Sequence, residues 1–402
     1  MRDSVTSAIN DVHCNTVSTY GDPRIHRNYG NPLVPAIHLS AAYSFDSPEA
    51  LVECHEDKYR GVRYARDVSA GTLQLEAYFA AMFPGCHALV FDSGMSAMAA
   101  PLDLLARPGG TVYVSTETYR KTHAYLNRQA ALLGMEIARF HEVKELEERI
   151  VDGAKAVVVL ESPTNPHLLV HDYEALAVLK ERTGCAVIAD ISLAGLCNIR
   201  FDFSRYDYTT LSCTKYISGH NDLIGGVLLA GNEDLHRRAW ELRSERGGIM
   251  DPHTAYLMLR SLRTYDMRVE RQAANALKII EHLEKKPGIT SLCHPACSFG
   301  VQARLFHRYY RHGGSMISFV VEMDRNVVLS RLAQMHSIKM APSFGAVDTL
   351  VEVPAVMSHY GKSDRELQEI GLEPDLVRLS VGCEPADDLI HDLDYLLAGE
   401  RR

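Results

Sequence analysis

The run Ser212-Cys213-Thr214-Lys215-Tyr216-Ile217-Ser218-Gly219-His220 places one lysine behind an apolar strand and among small hydroxyl and glycine residues. A lysine amine whose pKa is lowered can form a Schiff base with an aldehyde held beside it. The hydroxyls of Ser212 and Thr214 could hold a phosphate there. Lysine with phosphate-binding hydroxyls points to pyridoxal 5'-phosphate (PLP), a cofactor that supplies an electron sink while the protein supplies placement. Most lysines are solvated surface charges, so Lys215 gains meaning only from its companions.

Three further groups stand where strands end, the place at which open parallel sheets bind ligands. Asp92-Ser93-Gly94-Met95-Ser96 follows a strand and opens a helix, so Ser93, Gly94 and Met95 can form a phosphate cup on a helix N-terminus. The same residues also suit a plain helix cap. In Glu161-Ser162-Pro163-Thr164-Asn165-Pro166 two prolines stiffen a loop from which Asn165 could reach a ring hydroxyl, or the loop is an ordinary strand-to-helix turn. Asp190 closes the strand Ala186-Ala189, where a carboxylate needs a partner. A protonated pyridine nitrogen would be one, and a helix to cap would be another. Cup, asparagine, aspartate and lysine in that chain order are far more specific together than singly.

Short apolar runs at 88–91, 111–115, 156–160, 186–189, 208–211 and 227–230 alternate with helix-length stretches at 95–105, 122–133 and 173–182. This alternation predicts an α/β fold whose large sheet is mainly parallel and covered on both faces. Residues 1–60 read as an N-terminal arm, 61–255 as the PLP-binding large domain and 256–402 as a smaller C-terminal α/β domain. The link between them is a long helical stretch, about 255–285, followed by strands and helices at 315–322, 327–335, 377–381 and 388–397.

With 402 residues, 46% hydrophobic and 23% charged, the chain has ordinary globular composition. A formal net charge of -9 argues against a nucleic-acid partner. No apolar run approaches bilayer length, and the first sixteen residues lack a signal-peptide core, so no membrane association and a cytoplasmic location are expected. Nine cysteines are too sparse for a disulfide scaffold, and Cys293-His294 with Cys297 lacks a second pair at zinc spacing, so no metal is expected.

These segments resemble the Cys/Met-metabolism family of fold-type-I PLP-dependent transferases, which includes cystathionine γ-synthase, cystathionine γ-lyase and methionine γ-lyase. The Ser-Gly-Met cup, Glu-Ser-Pro-Thr-Asn-Pro, the strand-end aspartate, Ser-x-Thr-Lys-Tyr-x-x-Gly-His and Arg-Leu-Ser-Val-Gly match in order, from the arm near Asn31 to the end of the chain. The resemblance implies that Tyr119 stacks on the cofactor ring and assists proton transfer. It implies that Tyr64 and Arg66 reach the phosphate of a neighbouring subunit, in a homodimer or homotetramer with shared sites. Arg378 is then the clamp for the substrate α-carboxylate, with Asn165 and Ser343 beside it. Strand periodicity supports Arg378 separately, since Val377, Leu379 and Val381 share one face and leave Arg378 and Ser380 on the other.

Departures from the family pattern fall on the substrate side. Val68-Ser69-Ala70-Gly71 stands where Gly-Asn-Pro-Thr is usual, Arg120 and Lys121 replace two glycines after the tyrosine, and Ile191-Ser192 replaces Asn-Thr. Pro342 takes the place of a glutamate that senses the distal amino group of cystathionine, ahead of Ser343-Phe344-Gly345-Ala346. The expectation is a PLP-dependent lyase that removes a small γ-substituent (thiolate, activated oxygen or halide) from an L-amino acid, with Lys215 and Tyr119 as its catalytic residues. The rivals are cystathionine γ-synthase or γ-lyase activity and, in another class, a non-catalytic PLP-binding homologue.

Overall fold

The computed structural model describes residues 33–398 apart from 57, 60 and 152–154. Most of the arm, residues 1–32, lies outside the described residues; residues 33–47 run without helix before the helix Pro48–Glu56.

Seven strands form the large sheet: β1 (His87–Phe91), β2 (Thr111–Ser115), β3 (Glu136–Phe140), β4 (Ala156–Glu161), β5 (Ala186–Asp190), β6 (Tyr208–Ser212) and β7 (Gly226–Ala230), in the order β1-β7-β6-β5-β4-β2-β3. Pairings from β3 through β6 are parallel, whereas β7 runs antiparallel to both its neighbours. The valine-rich sequence of β4 follows from burial on both faces: Val157 and Val159 join one apolar cluster, Val158 and Leu160 the other. The outermost β3, Glu-Ile-Ala-Arg-Phe, buries only Phe140, so the apolar signal that marks the inner strands is missing there.

The second sheet contains β8 (Ile289–Cys293), β9 (Met316–Val321), β10 (Lys339–Met340), β11 (Leu350–Glu352) and β12 (Leu376–Ser380), in the order β10-β11-β12-β9-β8. The long helix expected over 255–285 is two helices, Pro252–Leu262 and Tyr265–Leu283, interrupted at Arg263 and Thr264. Asp251 starts the first by accepting from the N–H groups of His253 and Thr254. The second belongs to both cores. Its Tyr265 and Val269 pack in the cluster of the large sheet, and Ala276, Ile279, Ile280 and Leu283 in that of the small one. Among the described residues, no helix is long and apolar enough to cross a membrane.

Candidate active site

Strand ends of the large sheet deliver the first half of the site. Ser93 caps its own helix, Gly94–Leu105, by accepting from the N–H of Ser96 at 3.1 Å. Cap and cup are therefore compatible, because the N–H groups of Gly94 and Met95 belong to the first turn and have no helical acceptor. A Cβ on Gly94 would lie 2.8 Å from that of Ser212, so glycine is what lets this helix end meet the turn after β6. Thr214 Oγ1 accepts from the N–H of Gly225 at 3.2 Å, which fixes the far side of that turn. Buried Arg268, from the helix Tyr265–Leu283, donates to the carbonyls of Tyr216 at 2.8 Å and Ile217 at 3.2 Å. It braces the peptide directly after Lys215, a role with no local sequence signal.

Asp190 and Glu161 end adjacent strands in register. Asp190 accepts from the N–H of Ser192 at 2.9 Å, and its burial raises its pKa. Glu161 accepts from the N–H of Tyr119 at 2.8 Å, and burial together with the Asp190 charge holds its pKa well above the usual carboxylate range. Two carboxylates this close call for a positive group opposite them. Glu161 also anchors the segment of Tyr119, whose side chain is half exposed (52%) at the start of the helix Arg120–Leu133.

Side chains from both sheets converge on Lys215. Its Nζ donates to Ser343 Oγ at 3.1 Å and lies 4.8 Å from the ring centre of Phe344. Burial lowers its pKa to about 8, with the Arg378 charge pushing the same way. Arg378 is buried at 6% exposure, not the exposed edge arginine that a central strand flanked by β11 and β9 leaves no room for. It donates to Asn165 Oδ1 at 3.2 Å and to the Ser343 carbonyl at 3.1 Å, and pairs with buried Glu352 at 3.1 Å. Glu352 is its cross-strand neighbour on β11 and accepts from Ser358 Oγ at 2.9 Å. Arg378 Nε is left buried with no hydrogen-bond partner.

The structure thus joins Lys215, Ser343, Asn165 and Arg378 by direct contacts, and Ser93, Gly94 and Ser212 by another set. It sets Asp190 and Tyr119 on either side of Glu161. Tyr64 and Arg66 stand apart. The Arg66 guanidinium bonds the backbone carbonyl of Ser244 and lies 5.5 Å from the Tyr64 ring centre, with both side chains about half exposed. Glu161, Glu352, Phe344 and Arg268 were missed as site residues by sequence reasoning. The cluster at Cys293 is otherwise engaged, since His294 Nδ1 accepts from the N–H of Ala296 at 3.2 Å. Among the described residues, no group of three or more His, Cys, Asp or Glu is arranged to hold a metal.

The model for the Cys/Met metabolism PLP-dependent enzymes matches residues 18–398. The chain belongs to that family. It is 30% identical to the cystathionine β-lyase of Coxiella burnetii over 91% of this chain and 93% of that one. It is also 30% identical to the L-methionine γ-lyase of Pseudomonas putida, over 94% of each. A crystal structure of cystathionine γ-synthase from Xanthomonas oryzae pv. oryzae, in complex with aminoacrylate and cysteine, superposes with a TM-score of 0.86 at 25% identity, covering 96% and 98% of the two chains. The protein is a PLP-dependent enzyme of Cys/Met metabolism, with the fold expected from its sequence.

The residues present fit the cofactor. Gly94 and Ser212 make a cradle that a Cβ would fill, Asp190 is a partly buried strand-end carboxylate of raised pKa, and Lys215 is an amine of lowered pKa. The cup and the hydroxyls of Ser212 and Thr214 could hold its phosphate, Asp190 its ring nitrogen and Tyr119 its ring face.

Proposed function

We propose that this family member eliminates a compact γ-substituent from an L-amino acid. The observation that carries the proposal is the buried Arg378, held by Asn165, Ser343 and Glu352 within the same contact network as the Lys215 amine. A guanidinium with a free Nε–H offers a carboxylate a charge-assisted hydrogen bond, and a substrate held there presents its Cα to Lys215. PLP, when bound, takes up the electrons released as Cα loses its proton.

The chain's own groups do the rest. Arg378 and Asn165 orient the carboxylate. Lys215, with a pKa near 8, takes the proton from Cα and then one from Cβ, and a proton passes to the γ-group as its bond to Cγ breaks and it leaves with the bonding electrons. Asp190 would hold the proton of the cofactor ring nitrogen, and Tyr119 would lie against the ring. Tyr64 and Arg66, exposed on their own subunit, would serve the phosphate of a second copy, so the active species would be at least a dimer.

The size and charge of the leaving group are argued from the departures beside the site. Pro342, next to Ser343, offers no carboxylate to a distal ammonium. Arg120 and Lys121 open the helix after Tyr119 on its exposed side. His359 faces the same mouth; burial lowers its pKa, and the charges of Arg120, Lys362 and Arg378 lower it further. A cationic tail meets repulsion there, whereas a small neutral or anionic group does not.

The test is a panel of γ-substituted amino acids given to the purified holoenzyme, with ketoacid, ammonia and released group all measured. Compact substrates should be turned over faster than L-cystathionine, and Pro342→Glu should narrow that gap by up to about tenfold. Highest kcat/KM for cystathionine, or for its synthesis from an activated homoserine and cysteine, would overturn the reading.

A further inference from the structure

His167 has no part in the motifs or in the reaction, yet both its ring nitrogens meet carboxylates, one beside each sheet. Its Nδ1 meets Glu117 Oε1 at 2.6 Å and its Nε2 meets Glu373 Oε2 at 2.8 Å. Its backbone N–H donates to Glu117 Oε2 at 3.2 Å, where Thr164 Oγ1 also donates at 2.6 Å. With both ring nitrogens on carboxylates, the imidazole donates through both and carries a proton on each. The two carboxylates raise its pKa to about 9 against the opposing effect of burial.

The elements joined in this way are the ones that carry the site. Glu117 lies two residues before Tyr119. His167 closes the loop that offers Asn165 to Arg378, and the carbonyl of Pro166 in that loop accepts from Ser318 Oγ of β9 at 2.7 Å. Glu373 lies in the turn that leads into β12, the strand of Arg378. Three other titratable groups face this cluster. Cys293, at the end of β8, has a thiol pKa raised by burial and by the charges of Glu373 and Glu117. His171 is held neutral by burial, its pKa near 4, despite the Glu117 charge. Glu161 has its pKa raised by burial and the Asp190 charge, and the Glu117 charge adds to this.

We propose that His167, as an imidazolium shared between Glu117 and Glu373, is a positioning residue that sets the alignment of Asn165 and Arg378 for the substrate carboxylate. The inference rests on Arg378 being the carboxylate clamp. Loss of the imidazolium charge weakens the loop's hold on both sheets at once and leaves it the neutral contacts of Thr164 with Glu117 and of Ser318 with Pro166. The guanidinium and the asparagine then lose their common frame, while the cofactor cradle, tied to other strand ends, keeps its own. The sign follows from the raised pKa. The clamp is complete below the ordinary histidine range and is lost as pH rises through about 9.

The experiment titrates the visible band of holoenzyme with L-norvaline, which has no leaving group, and with n-butylamine, the same skeleton without the carboxylate. The ratio of the two dissociation constants, each expressed for the free-base amine of its own ligand, isolates carboxylate recognition and cancels the titration of Lys215. For His167→Gln the ratio should shift against norvaline by about tenfold at pH 7. The wild-type ratio should drift towards that of the variant as pH passes 9, and the variant's ratio should stay flat. Glu373→Gln, which removes only the half-exposed partner, should give a smaller shift in the same direction and serves if His167→Gln does not fold. Unchanged ratios in both variants would overturn the positioning role. Arg378→Gln separates the two levels of argument. If it too leaves the ratio unchanged, the carboxylate reading itself fails; if it abolishes norvaline preference while the His167 and Glu373 variants do not, only the role of His167 falls.

Discussion

The two ends of the site are built from different materials. At the cofactor end, helix N–H groups, hydroxyls and two carboxylates are supplied by the strand ends β4, β5 and β6 and the helix Gly94–Leu105 on the large sheet. At the substrate end, a guanidinium and a carboxylate are buried side by side on β12 and β11 of the small sheet, and the arginine reaches across to Asn165 of the other. Neutral donors on a rigid sheet tolerate neighbouring changes, because losing a neighbour leaves no unpaired buried charge behind. A buried ion pair does not, since removing one member strands the other at a cost of several kcal/mol. Cofactor binding should therefore be robust and substrate choice fragile.

Lys215→Ala tests the robust end at its one irreplaceable point. Turnover should fall by about 10³-fold or more, and borohydride should no longer fix cofactor to the chain, although the cradle should retain it reversibly. Mass mapping that finds another lysine labelled in the wild type would break the assignment.

Arg378→Ala probes the fragile end, where kcat/KM should drop by about 2–5 kcal/mol in transition-state terms. The visible band should barely move. A band that changes as much as the kinetics would show that the two ends are not independent.

A smaller effect separates Lys215 from the other lysines. With the cofactor removed, reductive alkylation by a small aldehyde should climb about tenfold per pH unit and level off at Lys215 above pH 8, where the amine is already neutral. Solvated lysines keep gaining reactivity towards their ordinary range near 10.4. A site lysine that behaves like them would mean that burial does not tune it.

Subunit mixing gives the most modest signal. Arg66→Ala and Lys215→Ala chains, each inactive, should recover about a quarter of wild-type activity after exchange, since half the dimers are hybrids with one intact site of two. No recovery despite proven exchange would place the whole cofactor end within one chain.

How much was legible in the sequence follows the same divide. Lys215, Asp190 and the Ser93-Gly94-Met95 cup announce themselves because each sits at the end of an apolar run, where strand-to-helix chemistry is compact and local. Arg378 was visible through the two-residue alternation of β12. Glu352 was not, because β11 has only three residues and its pairing partner lies elsewhere in the chain. Arg268 looks like any helical arginine until the Tyr216 and Ile217 carbonyls meet it. The break at Arg263–Thr264 escaped because no proline or glycine marks it.

The helix Tyr265–Leu283, rooted in both cores, has a consequence for how the molecule comes into being. A nascent chain extended only through β7 already owns the lysine and the cup, but the arginine that binds Asn165 is 213 residues further along. Contacts this distant in sequence close late. During synthesis the chain therefore passes through a stage that owns the lysine but not the Ser343, Phe344 and Arg378 that surround its amine and tune it. The shared helix connects that stage to the finished site, since it brings Arg268 to the lysine's turn and residues to both cores.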